Sequence, residues 1–497
     1  MQASFHIEHF GCRAARADGE AVGQHFRAAG LVEQEPAVAD LVIVNTCSVT
    51  AEADRAARAF IRSAHRRNPA ARIVVTGCYA QRAPAELAAM PGVAAVVGNS
   101  HKALAPEIAL NLAAQPTGFI PLESLASGAA PTWVDDSFAH SFLEESLVAP
   151  QAQPAPPQVV QTRPNLKIQE GCGNRCTFCV IPQTRGPSKS LPAATILRQV
   201  EGFVAAGGKE LVLSGINLGR WGRDLRRVAG DPPPTLAGLV RGILEQTSLP
   251  RLRLSSIEPM DWDGDLLALL VEFGGDRLPG SPSAGPGRWG GRLARHAHLP
   301  LQSGSDVVLA RMHRRYRPWH YVQKVEALLK AAGPDLTLGA DIMVGFPGET
   351  DAEFEETVAL VRSLPFGYLH LFPFSPRPGT PGWALHLEQP VPPAAVAERM
   401  TALRLLGAEK SQIHRSRFIG RQLPAITLHT PSDLALRNRT SALTDNFLPV
   451  ELEGALAANC LVSVLLTGIS AQGNLRAVPK EIGESESSKN LEAAQAL

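Results

Sequence analysis

Three closely spaced cysteines, Cys172, Cys176 and Cys179, lie in the segment GCGNRCTFC and are called here the loop triad. Thiolates are soft ligands that select iron–sulfur clusters or zinc, and the neighbouring glycines let the backbone bend around a metal centre. A structural zinc site takes a fourth protein ligand, whereas a [4Fe-4S] cluster held by three cysteines leaves one iron open. The spacing C-x3-C-x2-C therefore predicts such a cluster. The alternatives are a zinc knuckle or unliganded core cysteines.

Three further cysteines, Cys12, Cys47 and Cys78, are far apart in the sequence and are called here the sheet triad. Each of them follows a predicted strand, and the strands are the apolar runs at 5–9, 41–45 and 72–76. In an open parallel sheet the loops after adjacent strands meet at one edge, where such folds bind ligands. The sheet triad is therefore predicted to hold a second cluster. The alternative is three separate buried cysteines, which are common as small hydrophobic residues.

Strand and helix patterns alternate again from residue 166, which predicts a second and larger α/β unit. Its six strand candidates are 166–169, 210–213, 251–255, 297–301, 338–344 and 368–372. The first of these strands runs directly into the loop triad. Six such units favour a partial TIM-like (β/α)6 barrel, whose site lies at the mouth formed by the loops after the strands.

The sequence therefore predicts an α/β multidomain protein with an N-terminal open parallel α/β sheet, a central partial barrel and a small C-terminal β-barrel. The predicted units are the N-terminal domain 1–112, a Pro/Ala-rich linker 113–164, the barrel 165–392, a bridging helix 393–420, the β-barrel 421–479 and a disordered tail 480–497. A Gly- and Pro-rich insertion at 274–295 is predicted to be a mobile surface loop. Cys460, on an apolar run, is predicted to be a core residue.

The composition is that of a globular protein of several domains. The chain has 497 residues, of which 45% are apolar and 19% charged, with a net charge of +1. No apolar run reaches the length of a membrane span, and no signal-peptide pattern opens the chain. Seven cysteines in such a chain fit reduced thiols and metal ligands better than disulfides. We therefore expect a cytoplasmic protein without membrane contact, while the charge neither indicates nor excludes a nucleic-acid partner.

Over about residues 4–478, the chain resembles the methylthiotransferase family of radical S-adenosylmethionine (SAM) enzymes. The resemblance lies in the domain order, the two triads, and the runs GCGNRCTFCVIP, HLPLQSGSDVVLARMHRRY and GADIMVGFPGET. It implies that the loop triad holds a SAM-cleaving [4Fe-4S] cluster and the sheet triad an auxiliary [4Fe-4S] cluster. The final β-barrel resembles a TRAM domain, which the family uses to present RNA to the active site.

The loops after the barrel strands carry glycines and polar side chains, which a SAM site needs to approach and hold the cofactor. The predicted SAM contacts are Gly215, Asn217, Ser256, Glu258, Gln302 and Asp341. Two arginines near the predicted mouth, Arg185 and Arg377, are the predicted substrate contacts, since an arginine fork pairs well with a carboxylate. No side chain is predicted to act as the catalytic acid or base, because only a radical removes hydrogen from an unactivated aromatic carbon.

Within the family, the runs LVLSGINLGRW, LSSIEP and HLFPFSPRPGTP are similar to tRNA enzymes that add a methylthio group to C2 of N6-threonylcarbamoyladenosine, next to the anticodon. This similarity implies tRNA as the substrate, an electron donor such as a flavodoxin or ferredoxin, and a sulfur source. Three alternatives are open: an isopentenyladenosine tRNA methylthiotransferase, a ribosomal-protein methylthiotransferase, and an RNA-binding iron–sulfur protein without catalysis.

Overall fold

The computed structural model describes most of the chain. The described residues are 3–114, 129–142, 147–149, 158–159, 161–226, 232–275, 291–470 and 472–480. The tail predicted to be disordered, from residue 481 to the end, lies outside them. Within these residues, no helix combines the length and the apolar character needed to cross a membrane.

The N-terminal part is a six-stranded parallel sheet with helices on both faces. In spatial order its strands are Val32–Glu33, Ser4–His9, Leu41–Thr46, Arg72–Gly77, Val93–Gly98 and Thr132–Trp133. The helices are Arg13–Ala28, Ala51–Arg67, Cys78–Arg82, Pro84–Ala88 and Ala105–Ala114, with a 3-10 helix at Asn99–Leu104. The strand LVIVNT is buried along its whole length, because both faces of a parallel sheet are covered by helices.

Six parallel strands form the central barrel, as the sequence predicted. In chain order they are Asn165–Glu170, Glu210–Gly215, Arg251–Leu254, His296–His298, Thr337–Val344 and Phe366–Pro373. Isolated bridges, including one from Ser256 to His298, join the third strand to the fourth. In the described part of the chain no pairing joins the first strand to the last, so the barrel is partial. The short strand Lys189–Ser190 pairs antiparallel with the first strand.

The helices of this barrel pack on the outer face of the strands and form the largest hydrophobic core. They are Ile181–Arg185, Ala193–Ala205, Leu236–Gln246, Gly264–Phe273, Asp306–Arg311, Pro318–Ala332, Asp351–Ser363 and Pro381–Glu388, with 3-10 helices at Leu218–Arg220 and Pro259–Asp261. Local signals fix several of their ends. Thr350, for example, accepts a hydrogen bond from the Glu353 backbone N–H, while the Glu353 carboxylate accepts one from the Thr350 N–H, which is a capping box.

The C-terminal part is a closed five-stranded β-barrel. Its strands are Gln422–Thr427, Arg439–Thr444, Pro449–Glu453, Leu461–Ile469 and Leu475–Lys480, and a short helix lies at Ser432–Ala435. The helix Pro393–Ser416 connects it to the central barrel. Cys460 is half-buried immediately before the fourth strand, and its backbone N–H donates to the Thr427 hydroxyl.

The small barrel packs against the N-terminal ends of the central strands. Arg253 donates to the Thr444 carbonyl at 3.1 Å, and Arg295 donates to both carboxylate oxygens of Asp445, at 2.6 and 3.1 Å. The Phe447 ring stacks on His296 with the ring centroids 4.3 Å apart. The small barrel therefore sits at the opposite end of the strands from the loop triad, which follows a strand C-terminus.

Part of each predicted connector belongs to a folded unit. Within 113–164, Thr132–Trp133 adds the sixth strand of the N-terminal sheet, and Val148–Ala149 pairs with Gln158–Val159. In the predicted surface loop, residues 276–290 lie outside the described residues. The prediction is wrong for 291–295, where Arg292 and Leu293 are buried. Arg292 donates to backbone carbonyls of the helix Leu236–Gln246 and of the loop that follows this helix, and Leu293 forms a bridge with the third barrel strand.

Candidate active site

The loop triad lies just beyond the end of the first barrel strand, and its three cysteines are free and half-buried. N–H groups point at its sulfur atoms. Cys172 Sγ accepts from the Asn174 backbone at 3.4 Å and lies 3.6 Å from Asn217 Nδ2, and Arg314 Nη1 lies 3.4 Å from Cys176 Sγ. Donors of this kind stabilise thiolates more than thiols, so the surroundings fit anionic metal ligands.

The structure brings the sheet triad together at the carboxyl edge of the N-terminal sheet. Cys12 and Cys47 share a hydrogen bond, which, with burial and the nearby Cys78, raises the pKa of Cys47. Cys12 is exposed, whereas Cys47 and Cys78 are buried. Gly11 has φ +110°, and a side chain there would collide with Cys47. Three thiols that meet in one space at this edge of the sheet fit a cluster held by three ligands.

Side-chain and backbone donors also surround the sulfurs of the sheet triad. Cys78 Sγ lies 3.3 Å from Asn99 Nδ2 and 3.3 Å from Arg185 Nε, and the Val49 backbone N–H lies 3.5 Å from Cys47 Sγ. The second terminal nitrogen of Arg185, Nη2, is buried without a hydrogen-bond partner among the described residues. A buried, unused donor beside these sulfurs fits an anionic group in the same space.

A buried ionic network, called here the upper network, connects the two triads. It consists of Asp18, Lys102, Lys167, Glu170 and Arg185, and no side chain in it is more than 3% exposed. Lys102 Nζ lies 3.0 Å from Asp18 and 2.8 Å from Glu170, and Arg185 Nη1 lies 3.1 and 2.6 Å from the same two carboxylates. Lys167 bonds to both carboxylates as well.

The charges of this network support one another. Burial alone would raise the pKa of Asp18 and of Glu170, but the three cations together hold both below their ordinary values. Against the effect of burial, Asp18 and Glu170 raise the pKa of Lys167, whereas the pKa of Lys102 is lowered by burial. The two carboxylates are therefore ionised, and Glu170 lies two residues before the first cysteine of the loop triad.

Four of the six predicted SAM contacts lie in loops around the mouth. Gly215 ends the second strand, Asn217 follows it, and the Asn217 N–H donates to the Gln169 side chain at 2.7 Å. Glu258 pairs with Arg314, which also reaches the loop triad, and Ser256 bridges to the fourth strand. Their position around the loop triad is consistent with cofactor contact, and the role stays a prediction.

The other two predicted SAM contacts line the barrel lumen. Gln302 has φ +65°, and its buried side-chain oxygen has no hydrogen-bond partner among the described residues. Asp341 pairs with His298 and His370. Burial alone would raise the pKa of Asp341, but these histidines hold it well below its ordinary value, so the carboxylate is ionised.

The two arginines predicted to bind substrate are paired with carboxylates of the protein. Arg185 belongs to the upper network. Arg377 is buried and donates to Asp54 at 2.6 Å, and Arg82 donates to the same carboxylate oxygen at 2.9 Å. Arg377 therefore joins the N-terminal sheet to the central barrel, and its predicted substrate role stays a prediction.

Sequence reasoning predicted Asp341 as a site residue but missed the lumen side chains with which it forms a polar group, namely those of His298, Tyr368 and His370. Successive side chains of a strand face opposite sides, and Ala297 and Ala340 belong to the outer core, so their neighbours His298 and Asp341 face inward. Asp341 Oδ1 lies 3.1 Å from His298 Nε2 and 3.3 Å from His370 Nδ1, and the Tyr368 hydroxyl lies 2.9 Å from His298 Nδ1. The available signal was a polar residue at every second position in the runs HAH and YLH.

Comparisons with known proteins show what this chain is similar to. A model of an uncharacterized protein family, UPF0004, matches residues 4–98, and a model of the radical SAM superfamily matches residues 290–361. The threonylcarbamoyladenosine tRNA methylthiotransferase MtaB of Bacillus subtilis (strain 168) is 33% identical over 453 residues, covering 91% of this chain and 90% of that protein. The chain belongs to the methylthiotransferase family of radical SAM enzymes. MtaB of Aquifex aeolicus (strain VF5) is 32% identical and covers 93% and 99% of the two chains.

A second branch of the family is about as similar to this methylthiotransferase. The tRNA-2-methylthio-N(6)-dimethylallyladenosine synthase of Parafrankia sp. (strain EAN1pec) is 32% identical, covering 95% of this chain and 85% of that protein. Among solved structures, the radical SAM methyltransferase TsrM from Kitasatospora setae, with cobalamin and a [4Fe-4S] cluster bound, has a TM-score of 0.53 at 16% identity, covering 77% of each chain. That likeness shows the shared fold.

The cofactors of this methylthiotransferase are SAM and two [4Fe-4S] clusters. When bound, they would supply a 5′-deoxyadenosyl radical, which removes the hydrogen of the C–H bond, and the methyl group of the C–SCH3 product. The outer wall of the lumen is closed by the largest core. That no side chain acts as a catalytic acid or base stays a prediction.

Proposed function

We propose that this methylthiotransferase acts on tRNA and adds a methylthio group to C2 of N6-threonylcarbamoyladenosine. The two MtaB relatives carry that substrate in their names and align over almost the whole chain. The dimethylallyladenosine synthase from Parafrankia, however, is nearly as similar. Sequence identity therefore does not choose between the two substrates, and the wall of the active site must do so.

The observation that carries the proposal is the polar lumen. His298, Asp341 and His370 form a hydrogen-bonded group there, and the His370 side chain is 57% exposed. A threonylcarbamoyl group brings a carboxylate, a hydroxyl and amide N–H groups, which can pair with imidazole and carboxylate side chains. An isopentenyl group has no atom that can hydrogen-bond to these side chains, and covering them would remove their contact with water without replacing it, which costs free energy. The wall therefore favours the polar substrate.

The assignment of cofactor residues belongs to the same proposal. The loop triad holds the cluster that cleaves SAM, and the sheet triad holds the auxiliary cluster. The predicted SAM contacts described above surround the loop triad or line the lumen below it. A reducing protein such as a flavodoxin or ferredoxin supplies electrons, and an external donor supplies sulfur. Arg185 of the upper network contacts Cys78 of the sheet triad, and Glu170 of the same network lies two residues before Cys172, which supports two neighbouring clusters for the transfer of sulfur to a carbon radical.

Nucleoside mass spectrometry of tRNA from a strain that lacks this protein tests the substrate. We expect the methylthio form of threonylcarbamoyladenosine to disappear, while the methylthio form of isopentenyladenosine remains. The opposite pattern would contradict the proposal and identify the isopentenyl enzyme. Normal levels of both, with a ribosomal protein losing its methylthio group, would identify the third family function.

A single substitution tests the role of the lumen. In His370→Leu, we expect the KM for tRNA carrying threonylcarbamoyladenosine to rise about tenfold, since a hydrogen bond to a charged group contributes about 1.5 to 3 kcal/mol. SAM cleavage without tRNA is measured alongside, because His370 contacts Asp341, a predicted SAM contact, and a role in substrate binding alone leaves this cleavage intact. His313→Leu is the matched control, since His313 lies on the connection after Asp306–Arg311, outside this polar group. An unchanged KM in His370→Leu would remove the lumen from substrate recognition.

A further inference from the structure

The upper network contains more positive than negative charge. Its three cations, Lys102, Lys167 and Arg185, face two carboxylates, Asp18 and Glu170, and all five side chains are buried. Burying an unbalanced charge is costly unless a compensating charge lies close by. Among the described residues, the side chains of the network hydrogen-bond to one another or to a cysteine sulfur. The compensating charge is therefore expected beside the cysteines.

The sheet triad is the anionic partner in reach. Arg185 Nε lies 3.3 Å from Cys78 Sγ, and both Arg185 and Asp18 act electrostatically on Cys12. A [4Fe-4S] core of charge +2 held by three thiolates carries a net charge of about −1, and one-electron reduction makes it about −2. The excess cation therefore matches the charge of such a cluster. Its attraction to the cluster grows when the cluster is reduced.

We propose that the upper network sets the reduction potential of the cluster held by the sheet triad. Its excess positive charge stabilises the reduced cluster and raises the potential, while Asp18 and Glu170 moderate that effect. Buried charges act over short distances through a medium that screens weakly, so each of them counts. This inference rests on the proposed ligand role of the sheet triad, but it does not depend on which nucleoside is the substrate.

Two substitutions of opposite sign test this role. Lys167→Met removes a cation that bonds to Asp18 and Glu170 and lies over the Phe142 ring, without removing any described contact to a cysteine sulfur. Asp18→Asn removes an anion and keeps a side chain of similar shape. We expect the potential of the auxiliary cluster to fall in Lys167→Met and to rise in Asp18→Asn. Each shift should reach about 59 mV, which is tenfold in the equilibrium constant for one electron.

The measurement is a potentiometric titration of the full-length, anaerobically reconstituted holoenzyme with dithionite, followed by electron paramagnetic resonance. Added SAM changes the signal of the SAM-cleaving cluster and so identifies the auxiliary signal as the one that stays unchanged. The matched control is Glu210→Gln, which removes an equally buried carboxylate at the opposite end of the barrel strands. It should leave the auxiliary potential unchanged.

Opposite shifts in the two variants are a result that general structural damage does not produce. Shifts in the same direction, shifts of less than about 20 mV, or an equal shift in Glu210→Gln would overturn the proposal. Loss of about half of the iron from both Lys167→Met and Asp18→Asn would also overturn it, because the network would then be a structural clamp. If only Lys167→Met loses iron, the variant Lys102→Met, which also removes one positive charge, takes the place of Lys167→Met in the comparison with Asp18→Asn.

Discussion

Two buried ionic networks lie at opposite ends of the central barrel strands, and they differ in what their remaining donors contact. In the upper network, Arg185 pairs with Glu170 at 2.6 Å and also reaches the sulfur of Cys78. The lower network consists of Glu210 with Arg163, Arg251 and Arg253. In it, Arg253 pairs with Glu210 at 2.8 Å and also donates to the Thr444 carbonyl of the small barrel. Buried charge alone therefore does not mark a reactive site. The group at which the donors point distinguishes a cofactor site from a docking surface.

The lower network extends across the contact with the small barrel. Arg163 and Arg251 also face Glu210. Burial alone would raise the pKa of Glu210, but these two arginines and Arg253 together lower it. Farther along the contact, Asp335 accepts two hydrogen bonds from Arg421. The ion pairs that cross this contact, Arg421 with Asp335 and Arg295 with Asp445, hold the small barrel in place, away from the cysteines. If the small barrel binds tRNA, as the family resemblance implies, the tRNA must reach around the central barrel to the mouth.

The largest effect is expected from breaking the lower network. Glu210→Gln leaves buried arginines without their carboxylate, and removal of one partner from a buried pair costs about 3 to 5 kcal/mol. We expect the urea midpoint of the unfolding transition to fall accordingly. The control is Glu272→Gln, which breaks an exposed pair with Arg241 and should cost less than about 1 kcal/mol. Equal midpoints for the two variants would contradict the structural role of Glu210.

A pH effect of smaller size is expected at His414, beside the same contact. His414 Nε2 lies 2.9 Å from the Thr337 hydroxyl, and burial, with Arg417 and Arg415, lowers the pKa of His414 to about 4. In the unfolded chain His414 takes up a proton as the pH falls through about 6.5, whereas in the folded protein it stays neutral down to about pH 4. Neutral His414 therefore contributes fully to stability above about pH 6.5, and this contribution is lost as the pH falls towards 4. We expect a loss of about 3 kcal/mol between these values.

His414→Gln provides the comparison for this pH effect, because it keeps a polar side chain but removes the titrating group. Unfolding midpoints of the two proteins should converge as the pH falls from 6.5 to 4. Parallel curves would show that another group carries the pH dependence. The carboxylates of the upper network begin to lose their contribution to stability only near pH 4, because their pKa values are ordinary in the unfolded chain and lower in the folded protein.

A still smaller effect distinguishes docking from substrate binding on the cysteine side of the barrel. If Arg377 serves to join the N-terminal sheet to the barrel through Asp54, then Arg377→Met and Asp54→Asn should each destabilise by about 2 kcal/mol. The double variant should cost less than the sum, because the two residues share one contact. If Arg377 instead binds the substrate, only Arg377→Met will raise the KM for tRNA.

The sequence indicated the positions of the two triads because strand ends and cysteine spacing are local signals. It did not indicate the upper network, since Asp18, Lys102 and Lys167 come from three segments that only the tertiary fold brings together. The second strand of the small barrel, Arg439–Thr444, also lacks a local signal, because its run RTSALT has no strong apolar pattern. Long-range pairing supplies what these local patterns lack.

The central claim is that two triads hold two clusters at adjoining sites, and iron analysis of the reconstituted protein tests it most directly. Intact protein should carry about eight irons per chain. Alanine substitution of the whole loop triad should halve the iron and stop SAM cleavage. Alanine substitution of the whole sheet triad should also halve the iron, yet leave SAM cleavage measurable and abolish methylthio transfer. Full iron content after loss of the sheet triad would contradict the account.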